Sequence, residues 1–203
     1  MPKSYSSQEK EYIVKRLKEE AYQCLDLYGV KKTTVDELVR RVNIPKGTFY
    51  LFYDSKEMLL FDVINDLHDE IQNHFLREAS LIKGKITSQN LTNFLFKIYK
   101  KVDDTFLLKM MTNGELELLM RKLPNEVVEK HLSDDYAMME KLMELIPHAK
   151  EKNMQYFSGA MRGVFLTMIH KREIGEEVFD GSLKLMINGL VIQLMEEEYD
   201  SGC

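Results

Sequence analysis

Between Gly29 and Leu60 the chain reads GVKKTTVDELVRRVNIPKGTFYLFYDSKEMLL. Its punctuation predicts two short helices joined by a tight turn, with a third helix following at once. Thr33 and Thr34 are both N-cap types. Asp36 stands three residues after the first and Glu37 three after the second, so either register gives a capping-box-like start. Val35, Leu38, Val39 and Val42 recur at i, i+3, i+4 and i+7, which is one helical face, and they leave Arg40 and Arg41 off the stripe. Asn43 comes next, and asparagine readily accepts the left-handed conformation that ends a helix. Pro45 suits a first helical turn, where a missing N–H is tolerated. Phe49 and Tyr53 are i, i+4 neighbours that should face the core. Lys46, Gly47, Thr48, Tyr50 and Leu51 are then expected to look outward. Asp54 or Ser55 caps the next helix, whose first turn holds Lys56 and Glu57.

A tight turn between short helices is how a protein presents one helix to the major groove of DNA. At the front of such a helix, Lys46 reaches a phosphate or a guanine edge. Thr48 suits a base edge and Leu51 a thymine methyl, while the Tyr50 hydroxyl suits a phosphate. Gly47 lets the backbone approach closely. Lys56 puts a cation at a helix N-terminus, against the helix dipole, which points to an external role.

These residues resemble the tetracycline-repressor (TetR) family of bacterial transcription regulators. The matching pattern is Gly29 ending helix 1, Thr33 and Thr34 opening helix 2, K-G-T-F-Y from Lys46 to Tyr50, and S-K-E-M-L-L from Ser55 to Leu60. It covers roughly Glu9 to Leu60. Val39 and Val42 stand where the family often has alanine, and Asn43 where glycine is usual. Phe52 stands where many members carry a His or Tyr that bonds a phosphate. The resemblance implies an all-α chain: a helix-turn-helix DNA-binding head over 1–60 and a helical effector-binding and dimerisation body over 61–203. It implies a DNA-facing set of Thr33, Thr34, Lys46, Gly47, Thr48, Tyr50, Leu51 and Lys56, with Lys56 on a phosphate.

Charge distribution agrees. The net charge is −5. Residues 1–60 hold eleven basic residues against nine acidic, a net of +2, which leaves −7 for the remainder. A slightly basic head on an acidic body suits contact through a small patch. At 203 residues, 44% apolar and 30% charged, the chain has the balance of a globular protein. No uninterrupted apolar run nears a membrane span, and the start MPKSYSSQEKEY lacks a signal-peptide centre. A cytoplasmic address is expected. Of the two cysteines, Cys24 continues the stripe Ile13, Leu17, Ala21, Tyr28 as a small core residue, and Cys203 ends a polar tail.

Enzymatic signals are weak. There is no P-loop, no G-x-G-x-x-G opening a helix, no G-x-S-x-G and no H-E-x-x-H. The five histidines never pair at i+3 or i+4, so no metal site is expected within one helix. No catalytic residue, cofactor or metal is assigned.

Helical patterns continue to the C-terminus. Helix 1 is expected over Gln8 to Tyr28 and helix 4 from Ser55 to about Leu81. Lys83-Gly84-Lys85 breaks the pattern and Ser88 caps a new stripe, Leu91 to Val102. Shorter pieces, Phe106 to Met111 and Leu116 to Met120, flank Asn113-Gly114. Pro124 starts another helix, which Pro147 stops. The last two helices run about Lys150 to Ile174 and Glu176 to Tyr199, split by Gly175.

In the last helix, apolar residues from Leu183 to Met195 cover most of the circumference, so it needs burial on two sides. Its predecessor carries Gly159, Ala160 and Gly163, and each internal glycine costs roughly 1 kcal/mol of helix propensity that packing should offset. Gly159, Gly163, Met186, Leu190 and Leu194 are the candidate homodimer interface, and the resemblance implies the same four-helix contact. The body is rich in methionine, a flexible gap-filler. The resemblance implies an effector pocket there, with Phe106, Met110, Met139, Met143, Tyr156, Met161 and Phe165 as candidate lining for a small hydrophobic effector. The expected function is a ligand-released, homodimeric repressor of a near-palindromic double-stranded DNA operator. The competing reading is an all-α small-molecule-binding or protein-interaction module without DNA binding. Salt-dependent duplex binding separates the two.

Overall fold

The computed structural model describes residues 5–81, 86–131, 133 and 154–195. In chain order its helices are α1 Ser7–Lys32, α2 Val35–Val42, α3 Lys46–Phe49, α4 Lys56–Leu81, α5 Ser88–Asp103, α6 Phe106–Thr112, α7 Glu115–Met120, α8 Met154–Thr167, α9 Lys171–Ile174 and α10 Glu176–Met195. Residues 125–131 are also helical, and a 3-10 turn at Met168–His170 joins α8 to α9. The fold is all-α, with no strand among the described residues. Two compact units form. One gathers the chain up to Asp69 with Thr105–Val128; the other holds Glu70–Asp104 and the chain after Val128.

The first unit is built on α1. Ser6 opens it with a capping box, its hydroxyl accepting from Glu9 N at 3.3 Å while Glu9 accepts from Ser6 N at 2.8 Å. The expected stripe is buried at Ile13, Leu17, Ala21 and Cys24, but Tyr28 is 46% exposed. Its ring instead lies beneath the Arg41 guanidinium, 5.8 Å from the centroid. Burial pushes the Cys24 thiol above its usual range, as suits a small core residue. Gly29 breaks α1 at φ 74°, ψ −176°, and one more turn follows to Lys32. Phe49, Leu38, Leu59, Leu60 and Val63 fill the space against α1. So do Phe106 and Met110 of α6 and Leu119 of α7, and the rings of Tyr22 and Phe106 meet edge-on at 5.1 Å.

In the second unit α5 packs along α10. Leu91, Phe94 and Tyr99 face Phe179, Leu183, Ile187, Val191 and Leu194, all buried. Thr92 Oγ1 donates to Asn188 Oδ1 at 3.1 Å, so the polar strip of the last helix is used in this contact. Tyr99 donates to the Met161 carbonyl of α8 at 2.9 Å, and burial raises its pKa. Asp103 accepts from Lys171 at 2.9 Å and Lys100 at 3.1 Å, and Lys100 also bridges to Asp180.

Three expectations change. The cap of α5 is Thr87, one residue before Ser88, accepting from Asn90 N at 3.2 Å. Helix 1 runs on to Lys32 across the Gly29 break because Thr33 N–H and Oγ1 both reach the Gly29 carbonyl, at 3.3 and 2.7 Å. Among the described residues one helix, Glu176–Met195, is long and apolar enough to cross a membrane by length and composition. A search for uninterrupted apolar runs passes over it because isolated polar residues break the run. The Lys83–Lys85 break, the helix end at Pro147, Met138, Met139, Met143 and Cys203 lie outside the described residues.

Candidate nucleic-acid interface

The geometry of the reading head follows from its caps. Of the two possible N-cap registers, Thr34 with Glu37 is the one formed: Thr34 is extended, and its hydroxyl accepts from Glu37 N at 3.2 Å. Thr33 instead turns inward and is fully buried. Asn43 ends α2 in the left-handed conformation, φ 58° and ψ 49°. Pro45 is extended at the N-cap of α3, and Thr48 N closes the first turn on the Pro45 carbonyl at 2.8 Å. Regular α3 is only four residues, with turns continuing to Phe52 and Tyr53. Phe49 is its buried anchor. Tyr53 is half-buried and donates to Asp62 at 2.7 Å. Ser55, not Asp54, caps α4, accepting from Met58 N at 3.2 Å.

Around that anchor, Lys46, Gly47, Tyr50 and Leu51 are exposed, Leu51 at 68%. Lys46 Nζ is paired with Asp36 Oδ1 of α2 at 2.9 Å, and this hydrogen bond raises its pKa. Thr34 is exposed beside this cluster in sequence, at the head of α2. Thr48 departs from expectation. It is 6% exposed, and its hydroxyl lies 3.2 Å from that of Tyr5. The i, i+4 pattern places it outward, but the chain entering α1 covers it.

Lys56 is half-buried, and burial lowers its pKa. Its Nζ donates to the Val30 carbonyl at 2.8 Å and to the Thr33 carbonyl at 2.7 Å. The placement that looks unfavourable in sequence thus puts the ammonium against the last carbonyls of α1, where a helix favours a cation. Phe52 is half-buried and lines an open groove of ≈ 630 Å³ along α1, with Lys10, Val14, Lys15, Lys18 and Asp66.

This head is matched over residues 18–63 by the model of the "Bacterial regulatory proteins, tetR family". Over these residues the chain is similar to the tetR family. The HTH-type transcriptional regulator YdgC of Bacillus subtilis (strain 168) is 26% identical over 78 residues, 38% of this chain and 39% of that protein. The match therefore spans about two-fifths of that relative's length. Two solved structures share the fold along nearly the whole chain. One is Thermus thermophilus FadR, a TetR-family transcriptional repressor in complex with lauroyl-CoA (16% identity, 94% and 98% of the two chains, TM-score 0.61). The other is a TetR-family regulator from Mesorhizobium loti MAFF303099 (13% identity, 91% and 96%, TM-score 0.60).

Outside the matched head the remaining candidates are spread out. Gly159 and Gly163 of α8 are exposed with open space where a Cβ would stand; Met186 and Leu190 are half-buried. Leu194 is 5% exposed, packed inside its own chain. Phe106 and Met110 are core residues of the first unit, whereas Tyr156, Met161 and Phe165 belong to the second. Tyr156 is 77% exposed; Met161 and Phe165 lie against Tyr99. Among the described residues no group of three metal-ligating side chains occurs.

Sequence reasoning misses the residues that steady the head from outside it. Glu115 of α7 accepts from Val30 N, and Lys122 bridges to Glu57 at 3.1 Å. These pairings join positions far apart in the chain, and no local spacing signals them.

Proposed function

We propose that this protein is a homodimeric transcriptional repressor that binds a near-palindromic DNA operator and is released by a small hydrophobic effector. The observation that carries the DNA reading is the exposed edge Lys46, Gly47, Tyr50 and Leu51 around buried Phe49, within a matched tetR-family head. Lys46 exchanges Asp36 for a phosphate or a guanine edge, Tyr50 donates to a phosphate, and Leu51 meets a thymine methyl. Two of the three Lys56 N–H donors hold carbonyls, which leaves one for a phosphate.

The dimer reading rests on the outer faces of α8 and α10. Val178, Leu185 and Ile192 of α10 and Tyr156 and Leu166 of α8 are exposed in the single chain. Most of the apolar length of α10 is not buried within the single chain. A second copy would cover this surface, and the exposed glycines would let the helices close. Glu176, Glu177, Asp180 and Lys184 on the same helix favour that occupant over lipid.

The effector reading leans on Met161, Phe165 and Tyr99 in the second unit and on the acyl-CoA ligand of the Thermus protein. The helix α4 contributes to both compact units, so strain from a ligand in the second would reach the head along it.

The test is selection of bound genomic fragments, followed by titration of one such duplex at several salt concentrations. A repressor gives a recurrent, near-palindromic sequence and a linear fall of log affinity with log salt. Uniform weak binding to every duplex, or none, would remove the DNA reading.

A further inference from the structure

The α1–α2 junction carries a feature that DNA contact does not explain. Gly29 leaves the helix at φ 74°, ψ −176°, a region essentially reserved for glycine. The turn after it presents the consecutive N–H groups of Val30 and Lys31, and consecutive donors of this kind form an anion-binding concavity. Its occupant is the Glu115 carboxylate, from 85 positions along the chain: Oε2 accepts from Val30 N at 3.0 Å, and Oε1 accepts from Lys31 N at 3.5 Å. A Cβ on residue 29 would overlap that carboxylate. The glycine therefore serves the approach of Glu115 as well as the turn. On the opposite side Lys56 holds the Val30 carbonyl. Residue Val30 is gripped at both its N–H, by α7, and its C=O, by α4. Four residues later Thr34 opens α2, and α2 sets α3.

We propose that Glu115 is a positioning residue for operator binding: seated as an internal anion in the Gly29–Lys31 turn, it holds the helix-turn-helix in the orientation the two half-sites require. This rests on the DNA-binding reading above. Glu115 bonds the backbone of Val30 and Lys31, and its charge is the smallest of the influences on Lys56, so it acts on fit before charge neutralisation. Other contacts keep α6 and α7 in place without it, namely the Tyr22–Phe106 ring pair, the Lys122–Glu57 bridge and the bond from Lys109 to the Asp26 carbonyl.

The experiment compares wild type, Glu115→Ala and Glu115→Gln on the selected operator and on a scrambled duplex. Each is titrated in sodium chloride and in an equal concentration of sodium acetate, with folding checked by circular dichroism. Glu115→Ala should weaken operator binding by about tenfold or more, roughly 1.4 kcal/mol. Scrambled-duplex binding and the salt slope should stay unchanged. Acetate should recover part of the loss by occupying the vacated turn, and should do nothing for wild type. Glu115→Gln, which keeps one acceptor oxygen, should fall between. Operator affinity within twofold of wild type in a folded variant overturns the proposal, as does a loss shared by both duplexes. Failure of acetate to recover any binding assigns the loss to packing and overturns it too. If Glu115→Ala does not fold, the Gln variant decides by the same affinity and duplex criteria. Failure of the parent reading looks different, because wild type itself would then not distinguish operator from scrambled DNA.

Discussion

Single residues decide how the head starts, stops and meets charge. Thr34 caps α2 with its side chain, and α2 is an eight-residue helix that is too short to be stable alone. Thr34→Ala should lower the unfolding free energy by about 1 kcal/mol, read from urea denaturation. An unchanged midpoint would mean that tertiary packing fixes α2 without its cap. Asp36 acts on binding instead. It neutralises Lys46 at 2.9 Å, on a surface where both side chains are exposed. Asp36→Asn should free that cation, strengthen binding to all duplexes by about two- to tenfold, and steepen the log–log salt slope by up to about one unit. Lys46→Ala should flatten the slope by a similar amount. Opposite signs in the two variants are the signature; equal signs would show that the pair does not face DNA.

At the scale of elements, electrostatics joins helices that the chain separates. Asp103 at the end of α5 accepts from Lys171 of α9 and Lys100. Burial pushes its carboxyl up, but the two hydrogen bonds outweigh burial and hold it below the ordinary 3.8. The sign follows from linkage. The unfolded chain takes up this proton first, so the contribution is complete above the unfolded value and is lost as pH falls through the lower folded one. Asp103→Asn should cost about 1.5–3 kcal/mol at pH 7, the range for hydrogen bonds to a charged group. It should also flatten the acid limb of the urea midpoint against pH. Parallel curves for variant and wild type would remove Asp103 from the acid response.

At the scale of the whole molecule the question is what covers α8 and α10. Leu185 is 74% exposed in the single chain. Leu185→Glu should leave the monomer fold intact, shift sedimentation from dimer to monomer and abolish operator binding, because two half-sites about one helical turn apart need two heads. A wild-type monomer at micromolar concentration would remove the dimer reading. Effector binding is a molecular property as well. A hydrophobic ligand that favours the DNA-incompetent state by roughly 1–3 kcal/mol must raise the thermal midpoint and lower operator affinity together. A ligand that does the first without the second is a passenger.

The local punctuation of the head is legible in the amino-acid sequence: Gly29 as a break, Asn43 in its left-handed conformation, Pro45 opening α3, Phe49 as anchor and Gly114 between two short helices. Each of these rests on backbone sterics and capping, interactions that reach at most four residues. Periodicity likewise places Ile13, Leu17, Ala21 and Cys24 on a buried stripe. It does not show that Tyr5 covers Thr48, that Lys56 turns inward onto Val30 and Thr33, or that Phe106 and Met110 serve the core of the head unit. Nor does it show that Glu115 closes the Gly29 turn. The polar contacts among these join positions 23 to 85 residues apart, and their partners are set by which surfaces the folded helices bring together. Short-range chemistry wrote the elements; only tertiary packing chose which of their polar groups remained available for DNA.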